Sequence, residues 1–334
     1  MKTGHASFAR LWLPALIVLA VGLALPLFIT SGYTLRIVML VWLYAILGMS
    51  FNLIFGLTGQ LTLGQQGFFA IGAYSMVLMQ TGLGLPLVAA LPLGLLACAL
   101  LGVVIGLPVL RLRSHYLAMA TLAFGLILEG VALRWADVTG GSAGIRVPQL
   151  EILGLGIGRT SLYYILLGFA ALAFLVQAFI MSTHVGRALQ GIRDDESAAE
   201  ALGINAIAYK VKIFALGAVF AGLAGISYAL VSRHVDPSYS AISINVNILT
   251  IAVVGGLGTR LGPFLGAAFV VLMPQFLTRF GHYEVLFHGV FLLLFLIFLP
   301  KGLAGLIESG GFTRRRRGQA GEAGADAATT QGAR

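Results

Sequence analysis

Charge is what this sequence has least of. Asp, Glu, Lys and Arg together make up 10% of its 334 residues, whereas a water-soluble surface needs roughly 25–35%. A soluble enzyme, a nucleic-acid-binding protein and a disordered scaffold are excluded on that ground, despite a net charge of +9. Cysteine is nearly absent too. Cys98 stands alone, which rules out an intrachain disulfide, and its apolar surroundings read as those of a small buried residue. Reactive motifs are missing: there is no HExxH, no GxSxG, no Cys/His ligand spacing and no GxxxxGK[ST] phosphate loop. No cofactor or metal is therefore assigned to this chain. Any ATP that drives it binds to another polypeptide.

What is abundant is uninterrupted apolar length. Hydrophobic residues make up 59% and the mean hydropathy is +0.96. No charged residue occurs between Arg36 and Arg111, room for three spans of about 20 residues with short turns. Charge-free windows along the chain predict ten membrane helices, at 11–29, 36–55, 61–80, 85–108, 116–134, 160–181, 212–231, 239–258, 262–278 and 285–299. The class is all-α, a polytopic bundle that includes broken or short helices. A barrel strand would alternate apolar and polar residues, and these runs do not. The first run is long for a signal peptide and lacks a small-x-small cleavage site, so it reads as a signal anchor.

Ten helices put both termini on one side. With the N-terminus inside, inner segments carry fifteen Lys and Arg and outer segments six, the bias of cytoplasmic loops. The organisation expected is a cytoplasmic N-terminus at 1–10, a membrane domain at 11–308 with an outer loop at 135–159 and an inner loop at 182–211, and a disordered basic tail at 309–334. Arg314 to Arg317 in that tail set the topology, or else touch anionic lipid headgroups.

Polar residues inside the spans mark the candidate pathway. Asn52 ends the second helix, and the Gly56–Tyr74 stretch that follows holds five glycines with Gln60, Thr62, Gln65 and Gln66. An amide exposed to lipid costs several kcal/mol, so these side chains face protein or a wet cavity, where broken helices are tolerated. They read as lining a substrate pathway or as interhelical glue, with the glycines serving close packing. Asn245 and Asn247 form a second polar pair, but two residues turn a helix by about 200°, so a regular helix cannot aim both at one cavity. The Gly255-Gly-Leu-Gly segment with Gly262 and Pro263 reads as a turn. Glu129, in the fifth span, is either a pathway carboxylate or the partner of Arg134.

The inner loop is the most charged stretch before the tail. Asp194 or Asp195 can cap a short helix over about 195–202, Glu196 suits its first turn and Gly203 its end. Such a helix offers a compact shape to a partner protein, or else is an ordinary solvated loop.

At this loop the sequence becomes specific. Glu196-Ser-Ala-Ala-Glu-Ala-Leu-Gly203 resembles the EAA-type coupling motif of ABC importer permeases. With the residues around it, with Asn52–Tyr74, with Arg111–Gly125 and Thr139–Gly144, and with Val254–Pro263, it is similar to the branched-chain amino acid permease family of LivM type, over about residues 36–305. The chain departs from that pattern at Gln66, where the family often has His, and at His234-Val-Asp before Pro237. The resemblance implies a membrane permease in the bacterial inner membrane, not itself an enzyme. It implies a LivH-like second permease, two cytoplasmic ATPases and an extracytoplasmic binding protein as partners. ATP would act through Arg187, Arg193, Asp194, Asp195, Glu196, Ala199, Glu200 and Gly203, with Glu196 and Glu200, on one helical face, meeting basic groups of the ATPase. Cargo would be leucine-like, or another small solute such as urea, an amide or an acid. An ion-coupled transporter or channel is the alternative reading of the same polar spans.

Overall fold

The computed structural model describes residues 20–29, 31–112, 114–148, 151–152, 155–277, 289 and 302–305. The span predicted at 285–299, residues 11–19 of the first span and the 309–334 tail lie outside these residues, apart from position 289. The described chain is a helical bundle. A first helix, α1, covers 20–28, followed by α2 (Gly32–Phe51), α3 (Gln65–Leu83), α4 (Leu87–Val109), α5 (Ser114–Arg134) and the short α6 (Ala136–Thr139). Then come α7 (Arg159–Ser182), α8 (His184–Asp194), α9 (Glu196–Ala201), α10 (Ala206–Ser232), α11 (Ile242–Gly255) and α12 (Gly262–Leu277). Among the described residues, five helices are long and apolar enough to cross a membrane: Gly32–Gly56, Leu87–Val109, His115–Arg134, Arg159–Ser182 and Ala206–Ser232.

Helices α2 and α10 form the centre. Helix α10 packs on α2, α3 and α4, while α2 also meets α7 and α12. Small residues set the spacing. A Cβ on Gly225 would fall inside the Phe69 carbonyl, and one on Gly72 would strike the backbone of Gly222, so α3 and α10 touch backbone to backbone. Cys98 fills the neighbouring α4–α10 contact, fully buried beside Gly222. By contrast, α4 and α5 present apolar side chains outward, among them Leu96, Leu100, Val104, Met119 and Ile127. In a membrane that is a stable arrangement, because lipid tails are as apolar as Leu.

Several predicted boundaries are corrected. The helix expected over 61–80 starts only at Gln65, after a non-helical stretch at 59–64, and the helix expected over 239–258 covers 242–255. The 135–159 connection is partly ordered: β1 (Ile145–Arg146) pairs antiparallel with β4 (His234–Val235), and β2 (Glu151–Ile152) with β3 (Leu155–Gly156). The 182–211 segment holds α8 and α9 where one helix was expected, and α10, expected from 212, already starts within it at Ala206.

Candidate functional site

The polar residues converge on a break between α2 and α3. Helix α2 does not stop at Asn52. It widens into a π-turn over Asn52–Gly56, a rare form frequent at functional sites. The ladder then fails. In a continuing helix the Gln60 N–H would bond the Gly56 carbonyl; instead it reaches the Thr58 hydroxyl at 3.4 Å. Gly59, at φ +70°, lets the chain turn away, a conformation that disfavours a Cβ.

Side chains from other helices then satisfy the freed backbone. The Gly56 carbonyl accepts from Arg193 Nη1 of α8 at 2.6 Å. Asn52 Nδ2 donates to the Thr259 carbonyl at 2.9 Å, and its Oδ1 accepts from the Gly258 N–H at 2.8 Å. Deeper in the break, the Leu63 N–H donates to Thr121 Oγ1 at 2.9 Å, and the Leu63 carbonyl accepts from Asn245 Nδ2 at 2.7 Å. Non-helical backbone at membrane depth needs such protein partners.

The glutamines sit in this break, buried in protein and away from any outer face: Gln60 is 9% exposed, Gln65 1% and Gln66 0%. Gln65 Nε2 donates to Thr62 Oγ1 at 2.8 Å. Four amide atoms have no protein partner among the described residues: Oε1 of Gln60, Oε1 of Gln65 and both polar atoms of Gln66. Gln66 lies against Gly125 of α5, where a Cβ would overlap it. Buried polar atoms are almost always paired, so this cluster departs from ordinary core packing.

The remaining candidates are dispersed. Asn245 is buried in the clamp, while Asn247 turns to Tyr44 of α2, the divergence that helical geometry demands. Glu129 is partly buried, and no ion pair joins it to Arg134 among the described residues. Sequence reasoning did not single out Thr121, within Arg111–Gly125, or Gln177 of α7, fully buried with both amide atoms unpartnered among the described residues. A polar residue in an apolar span was the available signal for both.

At the α8–α9 end, Asp195 caps α9 by accepting from the Ala198 N–H at 3.0 Å. Gly203 closes it at φ +85°, with the Ile204 N–H reaching the Ala199 carbonyl at 3.1 Å, the αL stop expected of glycine. Ala199 faces inward, buried with Ile192 and Ala206. Glu196 is held within the chain, 2.6 Å from Lys210 Nζ. Arg187, Asp194, Glu200 and the apolar Leu202, 82% exposed, remain outward.

The opposite end carries a basic cavity of about 470 Å³ that Arg36, Arg159 and Arg233 line. Arg233 is the one non-glycine residue with positive φ among those described. Nearby, burial pushes the Tyr239 hydroxyl above its ordinary pKa, and the hydroxyl donates to the His234 carbonyl at 2.6 Å.

Long apolar helices broken around buried amides, with the short pair α8–α9 at one end, define a polytopic membrane protein. The chain belongs to the family described as branched-chain amino acid transport system / permease component, whose model matches residues 33–299. It is 34% identical over 319 residues to the high-affinity branched-chain amino acid transport system permease protein LivM of Escherichia coli, covering 88% of this chain and 74% of that one. The Salmonella typhimurium LivM is 33% identical over the same length and shares. The E. coli permease LivH is 22% identical over 289 residues, covering 79% of this chain and 92% of that one. No solved structure matches the chain.

Proposed function

We propose that this chain is the LivM-type permease subunit of an ABC importer in a bacterial inner membrane. Together with a LivH-like permease it forms the pathway for leucine, isoleucine and valine, or a related small solute. An extracytoplasmic protein delivers the substrate, and two ATPases act on the α8–α9 end, where Ala198, Glu200, Ala201 and Leu202 are exposed. The observation that carries the pathway reading is the set of unpartnered amides at the α2–α3 break, in a chain of a permease family. Such atoms gain partners when the break opens to water or substrate. Uptake of radiolabelled leucine by the reconstituted complex tests the reading. Uptake that needs ATP and the ATPase supports it, and uptake driven by an ion gradient alone defeats it.

The same assignment makes Gln66 and the topology open to direct measurement. Gln66→Leu removes two unpartnered polar atoms, each costing about 1–3 kcal/mol when buried. The variant is expected to melt at or above the wild-type temperature while leucine uptake falls roughly tenfold, one lost polar contact's worth. Lower stability with unchanged uptake would make Gln66 packing only. For topology, cysteines placed at 145 and 205 are expected to react with an impermeant maleimide from outside and from inside respectively. Labelling of 205 from outside alone reverses the orientation.

A further inference from the structure

The importer reading assigns Arg193 to the ATPase interface, but its guanidinium is occupied elsewhere. We infer that Arg193 is the transmission residue of this permease, a positioning group through which movement of α8 and α9 reaches the break in the membrane.

Three observations carry this. First, α8, α9 and the base of α10 form one small body. Ile192, Ala199 and Ala206 share a buried cluster, Asp195 caps α9, and Glu196 pairs with Lys210, whose side chain is only 8% exposed. A push on the exposed face of α9 therefore displaces α8 as well. Second, the guanidinium at the end of α8 donates to the Gly56 carbonyl, 137 residues away in sequence. That carbonyl terminates the π-turn and has lost its helical donor. Third, the side chain runs close over two glycines: a Cβ on Gly59 would crowd Arg193 Cγ at 3.1 Å, and one on Gly258 would stand in ordinary contact, 3.6 Å from Nη1. Gly258 is the residue whose N–H Asn52 holds. Arg193 thus sits where the end of α2, the start of the break and the α11–α12 turn meet. A charge-assisted hydrogen bond is roughly twice as strong as a neutral one, and here it bears on the point where no helical ladder resists bending.

The inference rests on the importer reading for its driving force, so the test has two arms. In the purified permease complex, hydrogen exchange of residues 57–64 needs no ATP. Arg193→Gln is expected to speed exchange there and leave the α10 core unchanged, with Arg193→Lys intermediate because an ammonium can still donate to the carbonyl. In the reconstituted importer, leucine transported per ATP hydrolysed is expected to fall roughly tenfold for Arg193→Gln, the scale of one charged hydrogen bond. Arg193→Lys should recover part of that ratio. Wild-type exchange at 57–64 in Arg193→Gln, or an unchanged transport-to-hydrolysis ratio, overturns the inference. A wild-type complex without ATP-driven uptake instead defeats the importer reading and the coupling role with it, while the exchange arm still reports whether the contact holds the break.

Discussion

Gly225→Val is expected to abolish the folded bundle rather than impair transport selectively. At this position the α3 and α10 backbones touch, and a new Cβ would overlap the Phe69 carbonyl. A clash with a side-chain tip can be relieved by a change of rotamer, but a carbonyl fixed in a helix cannot yield without moving α3. Ordinary overpacking costs about 1–3 kcal/mol, and this contact exceeds that range because the whole helix must shift. Its consequences spread, since α10 also packs on α2 and α4. Gly168→Val is the matched control: nothing lies within 4 Å of a Cβ at that position on α7. Size-exclusion profiles and thermal melts in detergent should show an aggregated or strongly destabilised Gly225→Val chain beside a normal Gly168→Val chain. Equal melting temperatures would show that α3 and α10 are not in the contact described.

Gly203→Val is expected to do the reverse, sparing the bundle and breaking the link between hydrolysis and uptake. Gly203 is exposed, and a Cβ added there would meet no atom within 4 Å, so crowding plays no part. The cost comes from φ +85°, a region that a β-branched residue resists, at about 1–2 kcal/mol. Relief of that strain unwinds the stop that joins the Ile204 N–H to the Ala199 carbonyl and reorients Leu202 and Glu200, the exposed end of α9. Substrate-stimulated hydrolysis and uptake should both fall in a complex that still assembles. Gly203→Asn should restore them, since Asn visits this region readily. Normal coupling in the Val variant would remove α9 from the ATPase contact.

Much of this was legible because its causes are local. Charge-free windows located the long helices α4, α5, α7 and α10, since neither lipid nor a close-packed helical centre tolerates an unpaired charge. Asp195 and Gly203 announced the bounds of α9, because capping and αL stops depend on a few neighbouring atoms. The π-turn was not legible: Asn52-Leu-Ile-Phe-Gly56 is as apolar and helical in composition as the turns before it. Helix α8 was missed because Gly186 and Gly191 weaken its local preference, while burial of Gly186, Leu189 and Ile192 supplies the stability from outside. The partners of Arg193, Glu196 and Asn245 are tertiary. The family resemblance pointed the first two toward another protein, whereas the fold gives them Gly56 and Lys210.

The burial of Cys98 has a practical consequence. A thiol sealed between α4 and α10, and in weak contact with the Phe68 carbonyl at 3.7 Å, is inert toward reagents while the bundle is closed, as buried structural cysteines are. As the single sulfhydryl of the sequence, it makes the natural chain its own silent background for engineered labels. It is also a native sensor: the temperature at which a thiol-reactive dye first reacts marks the parting of α4 from α10.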